Sequence, residues 1–201
     1  MIDKIRMRDR RAEPERRAGQ DRRRNVDVRT PILQIGPSLL RLAIHVDRAN
    51  GAGPLVITRT VTWRDKADTL HSTQGFAELQ KALTLLVVEE RLAGTSAIVL
   101  LGSDYCVTRV VAGNTDQVQR DIQQIRERSQ HYLALGSGPK VVASSSTQLD
   151  ARHTHALLTI TTQQTLRGIV EAVDEAGLQL QRVESSQVAL AHLMSVAHPT
   201  P

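Results

Sequence analysis

The chain of 201 residues has one cysteine, Cys106, so no internal disulfide can form and no cysteine cluster exists for zinc or an iron–sulfur centre. Its four aromatic residues, Trp63, Phe76, Tyr105 and Tyr132, are too few for a platform on which nucleic-acid bases stack. No apolar run approaches the roughly 18 residues that span a bilayer. The N-terminus has no apolar h-region, so no secretory signal is read and a cytoplasmic location is expected. The GxxxxGK[ST], GxGxxG, GxSxG and HExxH patterns are all absent. His153 and His155 share a strand face without a third ligand, so no metal site is expected. Glu89-Glu90 and Asp174-Glu175 read as solvated charge at helix ends, and Gly136-Ser137-Gly138 as a loop. Tyr105, Val107 and Val110 place Cys106 in a strand as a packed thiol. No catalytic residue emerges.

Charge is present but unevenly placed. The chain carries +5 overall. Residues 1–30 account for all of it, with Lys4 and ten arginines against six acids, while residues 31–201 are balanced. These counts do not support a basic nucleic-acid groove on the folded part, and no specific nucleic acid is expected as a partner. The leader 1–30 has hardly any apolar residues and reads as disordered. Within it Asp9-Arg10-Arg11, Glu15-Arg16-Arg17 and Asp21-Arg22-Arg23 repeat every six residues. At about three residues per turn, a polyproline-II chain would present all three arginine pairs on one side. Such pairs can hold phosphates, anionic lipid or an acidic protein patch. A solvated, solubilising leader is the alternative.

After Pro31 the composition turns apolar and periodic. Ile32 to Ile35, Leu39 to Val46 and Leu55 to Trp63 read as strands, with turns at Gly36-Pro37-Ser38 and Asn50 to Pro54. Phe76, Leu79, Leu83, Leu86 and Val87 share a helical face, which Gly94 is expected to end, and Ala97 to Leu101 is an apolar strand. Tyr105 to Val111 reads as a strand, Thr115 to Tyr132 as a helix with Val118, Ile122 and Ile125 inward, and Lys140 to Ser144 as a short strand before a solvated Ser144 to Thr147. Ala156 to Ile160 is a strand. Thr161 and Gln164 then have capping-box spacing ahead of a stripe of Leu166, Ile169, Val170, Val173 and Ala176, which Gly177 ends. Leu178, Leu180 and Val183 form a last strand before a helix from Ser185 or Ser186.

This strand–helix–AGL–strand–AL order resembles the PilM-type pilus-assembly proteins, within the FtsA-like branch of actin-fold proteins, over roughly residues 31–196 and for the N-terminal half only. The resemblance implies an α/β (α+β) protein with two subdomains of an actin-like fold. Residues 31–101 would form the first part of one, as β-hairpin, strand, helix and strand. Residues 102–184 would form a β-α-β-β-α-β unit of the kind called SHS2, also found in GspL of type II secretion, and 185–201 a helix returning to the first subdomain and a C-terminal tail. Gln34, Gly36, Ser38 and Arg41 occupy the place of the family's phosphate-binding hairpin, commonly DIGSSSVKLV. Gln34 stands where the acid that helps hold the metal would be, and Pro37 removes an amide donor. A neutral amide does not replace a carboxylate as a hard-cation ligand. No cofactor is therefore expected in this chain, with ATP reserved for a longer form.

By the same resemblance the function is a non-catalytic cytoplasmic adaptor, at the inner face of the inner membrane, in a type IV pilus or type II secretion-like machine. A PilN-like inner-membrane partner would insert a short peptide into a groove lined by Tyr105, Val107, Arg109 and Val111, which share a strand face. Arg109 would anchor a carboxylate or carbonyl of the peptide, or guard an edge strand. A cytoplasmic assembly ATPase would be a second partner, and Arg10, Arg11, Arg16, Arg17, Arg22 and Arg23 would meet anionic lipid or an acidic protein. The alternatives are the first half of an actin-fold ATPase or kinase, and a tether driven by the leader.

Overall fold

Leu33, Ile35, Leu40, Leu42 and Ile44 alternate with half-buried or exposed residues, and each lies in the core of a hairpin. Its strands are β1 (Val28–Ile35) and β2 (Leu39–Asp47), paired antiparallel with Leu33 opposite Leu42 and Ile35 opposite Leu40. The computed structural model describes residues 28–37, 39–47, 55–62, 70 and 72–197, with residues 195–197 as backbone only. β3 (Leu55–Thr62) extends the hairpin, and β4 (Ser96–Leu101) runs parallel to β1. A last strand, β8 (Gln179–Ser185), lies parallel to β4, giving a five-stranded sheet in the order β3-β2-β1-β4-β8.

Helix α1 (Thr73–Glu90) links β3 to β4 and buries Leu79, Leu83, Leu86 and Val87, one stripe at helical spacing. Ser72 caps its start, the hydroxyl accepting from the Gly75 amide at 3.1 Å. Its end departs from the sequence reading. Arg91, rather than Gly94, ends the helix, in the left-handed conformation at φ 54°, and the Leu92 amide reaches back to the Val87 carbonyl at 2.9 Å. Leu92 is fully buried and has to turn inward at once, so the reversal falls on the residue before it. Gly94 shapes the following turn instead, donating its amide to the Gly177 carbonyl at 2.7 Å.

The chain then leaves the large sheet. β5 (Cys106–Asn114), β6 (Lys140–Gln148) and β7 (His153–Thr162) form a three-stranded antiparallel sheet in the order β5-β7-β6. Helix α2 (Thr115–Glu127) covers one face of it, packing Val118 and Ile122 on Ala156 and Leu158 with Val111, Ile125 and Val142 around them. The helix ends at Glu127 rather than Tyr132, and two 3-10 turns, Ser129–His131 and Leu133–Leu135, carry the chain to β6. Of the two readings of the serine run, a solvated strand end or a loop, the structure has the strand: Ser144, Ser145 and Ser146 pair with Leu158, Leu157 and Ala156 of β7.

Helix α3 (Gln163–Glu175) and β8 bring the chain back, so the segment 102–184 is divided between the two sheets. Only β5, α2, β6 and β7 make up the small unit. Ile169, Ala172, Val173, Ala176 and Leu178 belong to the core of the large sheet. The helix starts one residue later than its spacing suggests. β7 stays paired as far as Thr162, whose hydroxyl caps the Thr165 amide at 3.0 Å, while the Thr161 hydroxyl donates to the Tyr105 carbonyl at 2.7 Å. The buried stripe is also rotated, to Thr165, Gly168, Ile169, Ala172 and Val173, leaving Val170 47% exposed. Gly168 lets α3 approach Phe76 of α1, and Gly177, at φ 81°, ends the helix as expected. The step from Leu180 to Val183 in β8 is explained by a bulge: Ala97 pairs with Leu180 but Ile98 with Arg182. α4 (Ser186–Ala197) then leaves the end of β8.

Candidate functional site

The strand face expected to line a groove is the covered one. Tyr105 precedes β5 and is buried in the core of the large sheet. Val107, Arg109 and Val111 pair with Ile160, Leu158 and Ala156, the side of the small sheet on which α2 lies. Arg109 is exposed there, with its guanidinium 5.8 Å from the centre of the Tyr132 ring, a cation–π contact. These four residues therefore do not line an open groove. Alternation along β5 divides its side chains into two sets but does not reveal which set the next helix covers.

The opposite face is open. There Leu157, Thr159 and Thr161 of β7 lie beside Ser145, Ala143 and Val141 of β6, and beside Val110, Thr108 and Cys106 of β5. The end of β8 and the first turns of α4 rise along it, contributing Val183, Val188 and His192 to a cavity of about 340 Å³. Leu101 and Leu166 reach the same space. The Thr108 and Ser185 hydroxyls bond at 2.9 Å and tie the small sheet to β8. Glu184 also borders the cavity, with Arg182 3.0 Å away. The result is a trough whose exposed surface is mostly apolar, the kind that takes apolar side chains of a ligand, with the hydroxyls, Glu184 and His192 as its polar groups. The odd positions Leu157, Thr159 and Thr161, half of an alternation whose even half is core, are the signal in the sequence for this face.

Cys106 is on the same side of β5 but buried in the core of the large sheet, its thiol donating to the Gly102 carbonyl at 3.5 Å. Burial raises its pKa, Asp104 adds to that, and a hydrogen bond with Ser185 opposes it. Folding thus favours the protonated thiol. That contribution to stability is complete at neutral pH and disappears as the pH rises through the raised value. The expected result at pH 8 is labelling by a thiol reagent about 100-fold slower than in urea-unfolded chain. Equal rates would mean that the thiol is open to solvent.

The β1–β2 hairpin forms a second, smaller cavity of about 240 Å³, lined by Gln34, Gly36, Pro37, Arg41, Gly102 and Asp104 among others. Sequence reasoning missed Asp104, which the turn after β4 brings here. Arg41 donates to the Gln34 side-chain oxygen at 3.3 Å. A phosphate cradle requires backbone amides aimed outward, whereas Gly36 donates to the Leu39 carbonyl and Gly102 to the Ile35 carbonyl, each at 2.9 Å. Ser38 lies outside the described residues, as do the leader arginines Arg10, Arg11, Arg16, Arg17, Arg22 and Arg23. His153 of the former histidine pair is bound to Asp150, at 2.8 Å. Among the described residues no three metal-ligating side chains converge, and no helix is long and apolar enough to cross a membrane.

A five-stranded mixed sheet backed by two helices, with a three-stranded antiparallel unit inserted after its fourth strand, defines the class of fold. It is the fold of a chain in the PilM–PilN type IV pilus biogenesis complex, at a TM-score of 0.59 and 17% identity, covering 86% of this chain and 51% of that one. The cytoplasmic domain of EpsL, an inner-membrane component of the Vibrio cholerae type II secretion system, is also similar, at TM-score 0.42 and 14% identity over 80% of this chain and 57% of that one. So is a Bacteroides thetaiotaomicron protein of actin-like ATPase fold and unknown function, at TM-score 0.41 and 11% identity over 84% and 56%. The chain thus spans about half the length of these solved structures. No family model matches the sequence, and no curated protein does.

Proposed function

We propose that this chain is a non-catalytic adaptor of a type IV pilus or type II secretion-like machine, working at the cytoplasmic face of the inner membrane. The trough on the open face of the small sheet seats a short peptide from an inner-membrane partner of the PilN kind. The observation that carries this is an apolar cavity of about 340 Å³ on a fold shared with a chain of a PilM–PilN complex. On this reading the leader arginines add a contact to anionic lipid or an acidic protein, and a cytoplasmic assembly ATPase is the second partner. The amides of Gly36 and Gly102 are engaged by the Leu39 and Ile35 carbonyls, which supports the adaptor reading over the kinase or ATPase alternative.

The test uses the tagged full chain in its native host, with membrane partners identified by mass spectrometry. An inner-membrane pilus or secretion protein is expected to co-purify, and to be lost with Leu157→Arg, which places a charge in the trough. Leu157 is only half-buried, so the variant is expected to keep its melting transition. Recovery of the same partner by wild type and variant would remove the trough from the function.

A further inference from the structure

A sheet edge displays unpaired amides and carbonyls, and proteins blunt such edges with charges, bulges or covering elements. Among the described residues the two sheets have four edge strands, β3, β8, β5 and β6. β3 carries Arg59, whose Nε lies 2.7 Å from Glu90. β8 is bent by its bulge and carries Arg182 and Glu184. β5 carries Arg109, held against Tyr132.

β6 differs from all three. From Val141 to Gln148 the sequence VVASSSTQ has no charge and no proline, and its ladder with β7 runs without a register shift. Lys140 is turned back, with Nζ donating to the Gly136 and Gly138 carbonyls at 2.7 and 3.0 Å. The strand is exposed over most of its length. Its side chains at Val141, Ala143 and Ser145 face the trough. On the other face, Ser144 accepts a hydrogen bond from Arg126 of α2 at 2.9 Å.

We infer that β6 receives an extended partner segment as a fourth strand of the small sheet, with apolar side chains toward the trough and a carboxylate against Arg126. This rests on the adaptor reading and names its mode of recognition: backbone pairing provides affinity and alternate side chains provide selectivity. Charge selects the occupant. Two β6 strands from two copies, paired antiparallel about their middle residue Ser144, would place both α2 helices on one side and bring two Arg126 side chains together. A segment with an acidic side chain there compensates that charge instead.

The probe is a phage-displayed library of random peptides selected on the full chain. Enriched peptides are expected to alternate apolar and polar residues with an acid on the polar side. Binding is expected to slow amide exchange in Val141–Gln148 at least about tenfold. Arg126→Glu is expected to weaken binding about fivefold, the scale of one exposed ion pair, and an acid-to-lysine change in the peptide to restore it. Ser145→Lys, which charges an exposed edge position, is expected to abolish binding. Peptides that require Leu157 yet leave β6 exchange unchanged would overturn this inference and leave the adaptor reading standing. Failure of every peptide to bind would remove both. A dimer that Ser145→Lys dissolves would place a second copy at the edge and overturn the peptide.

Discussion

Gly168→Ala is expected to destabilise the chain by about 1–3 kcal/mol, the range for forcing extra volume into a packed interior, and Gly168→Leu by more. The cause is local. A Cβ on Gly168 would overlap the edge of the Phe76 ring, where α3 crosses α1. Elsewhere in a helix the same change stabilises by about 1 kcal/mol, because alanine is the better helix former. In a Phe76→Ala background, where the ring is gone, Gly168→Ala is therefore expected to be neutral or stabilising. Urea midpoints of the four chains at constant slope measure the coupling. An equal loss in both backgrounds would show that something other than the ring demands glycine.

Leu158→Ala is expected to melt the small unit and leave the large sheet folded. The two sheets have separate cores. That of the small unit consists of Val118, Ile122, Ala156 and Leu158 with a few half-buried neighbours, so Leu158 is a large share of it. A buried leucine cut to alanine loses about 2–5 kcal/mol, more than so small a unit can absorb. Amide exchange is expected to accelerate together in β5, β6 and β7 while β1, β2 and β4 keep their protection, the pattern of a separate cooperative unit. Uniform acceleration in every strand would show that the two cores unfold as one.

The parts of this fold that were legible in the sequence are those where one periodicity persists. Leu33 to Ile44 alternate, Leu79 to Val87 repeat at helical spacing, and both read correctly because each element buries one side against a single neighbour. Legibility failed where packing depended on what is missing from a side chain. The stripe of α3 was read in part, Ile169, Val173 and Ala176 being buried, but Gly168 faces Phe76 of α1 while the larger Val170 faces outward. The serines of β6 read only as a solvated strand end or a loop, because an exposed edge strand has no apolar period. The bulge in β8 broke an alternation that strand geometry otherwise guarantees. For the site, Val107, Arg109 and Val111 were recognised as one face, but whether α2 or solvent lay over it is a tertiary fact. Gln34, Gly36 and Arg41 do lie together at the hairpin, and Asp104 joined them only because the turn after β4 folds there.

The small unit begins and ends at paired residues, Cys106 opposite Thr161, with the Tyr105 carbonyl bonded to the Thr161 side chain. The chain thus leaves the large sheet and returns to it at almost the same point. A segment attached in this way behaves as a cassette: a tight turn from β4 to α3 would close the host without it, and another cassette of different specificity could occupy the same two attachment points. The large sheet would keep its strand order through either exchange, so the small unit's share of the proposed trough could be rewritten without rewriting how the framework folds.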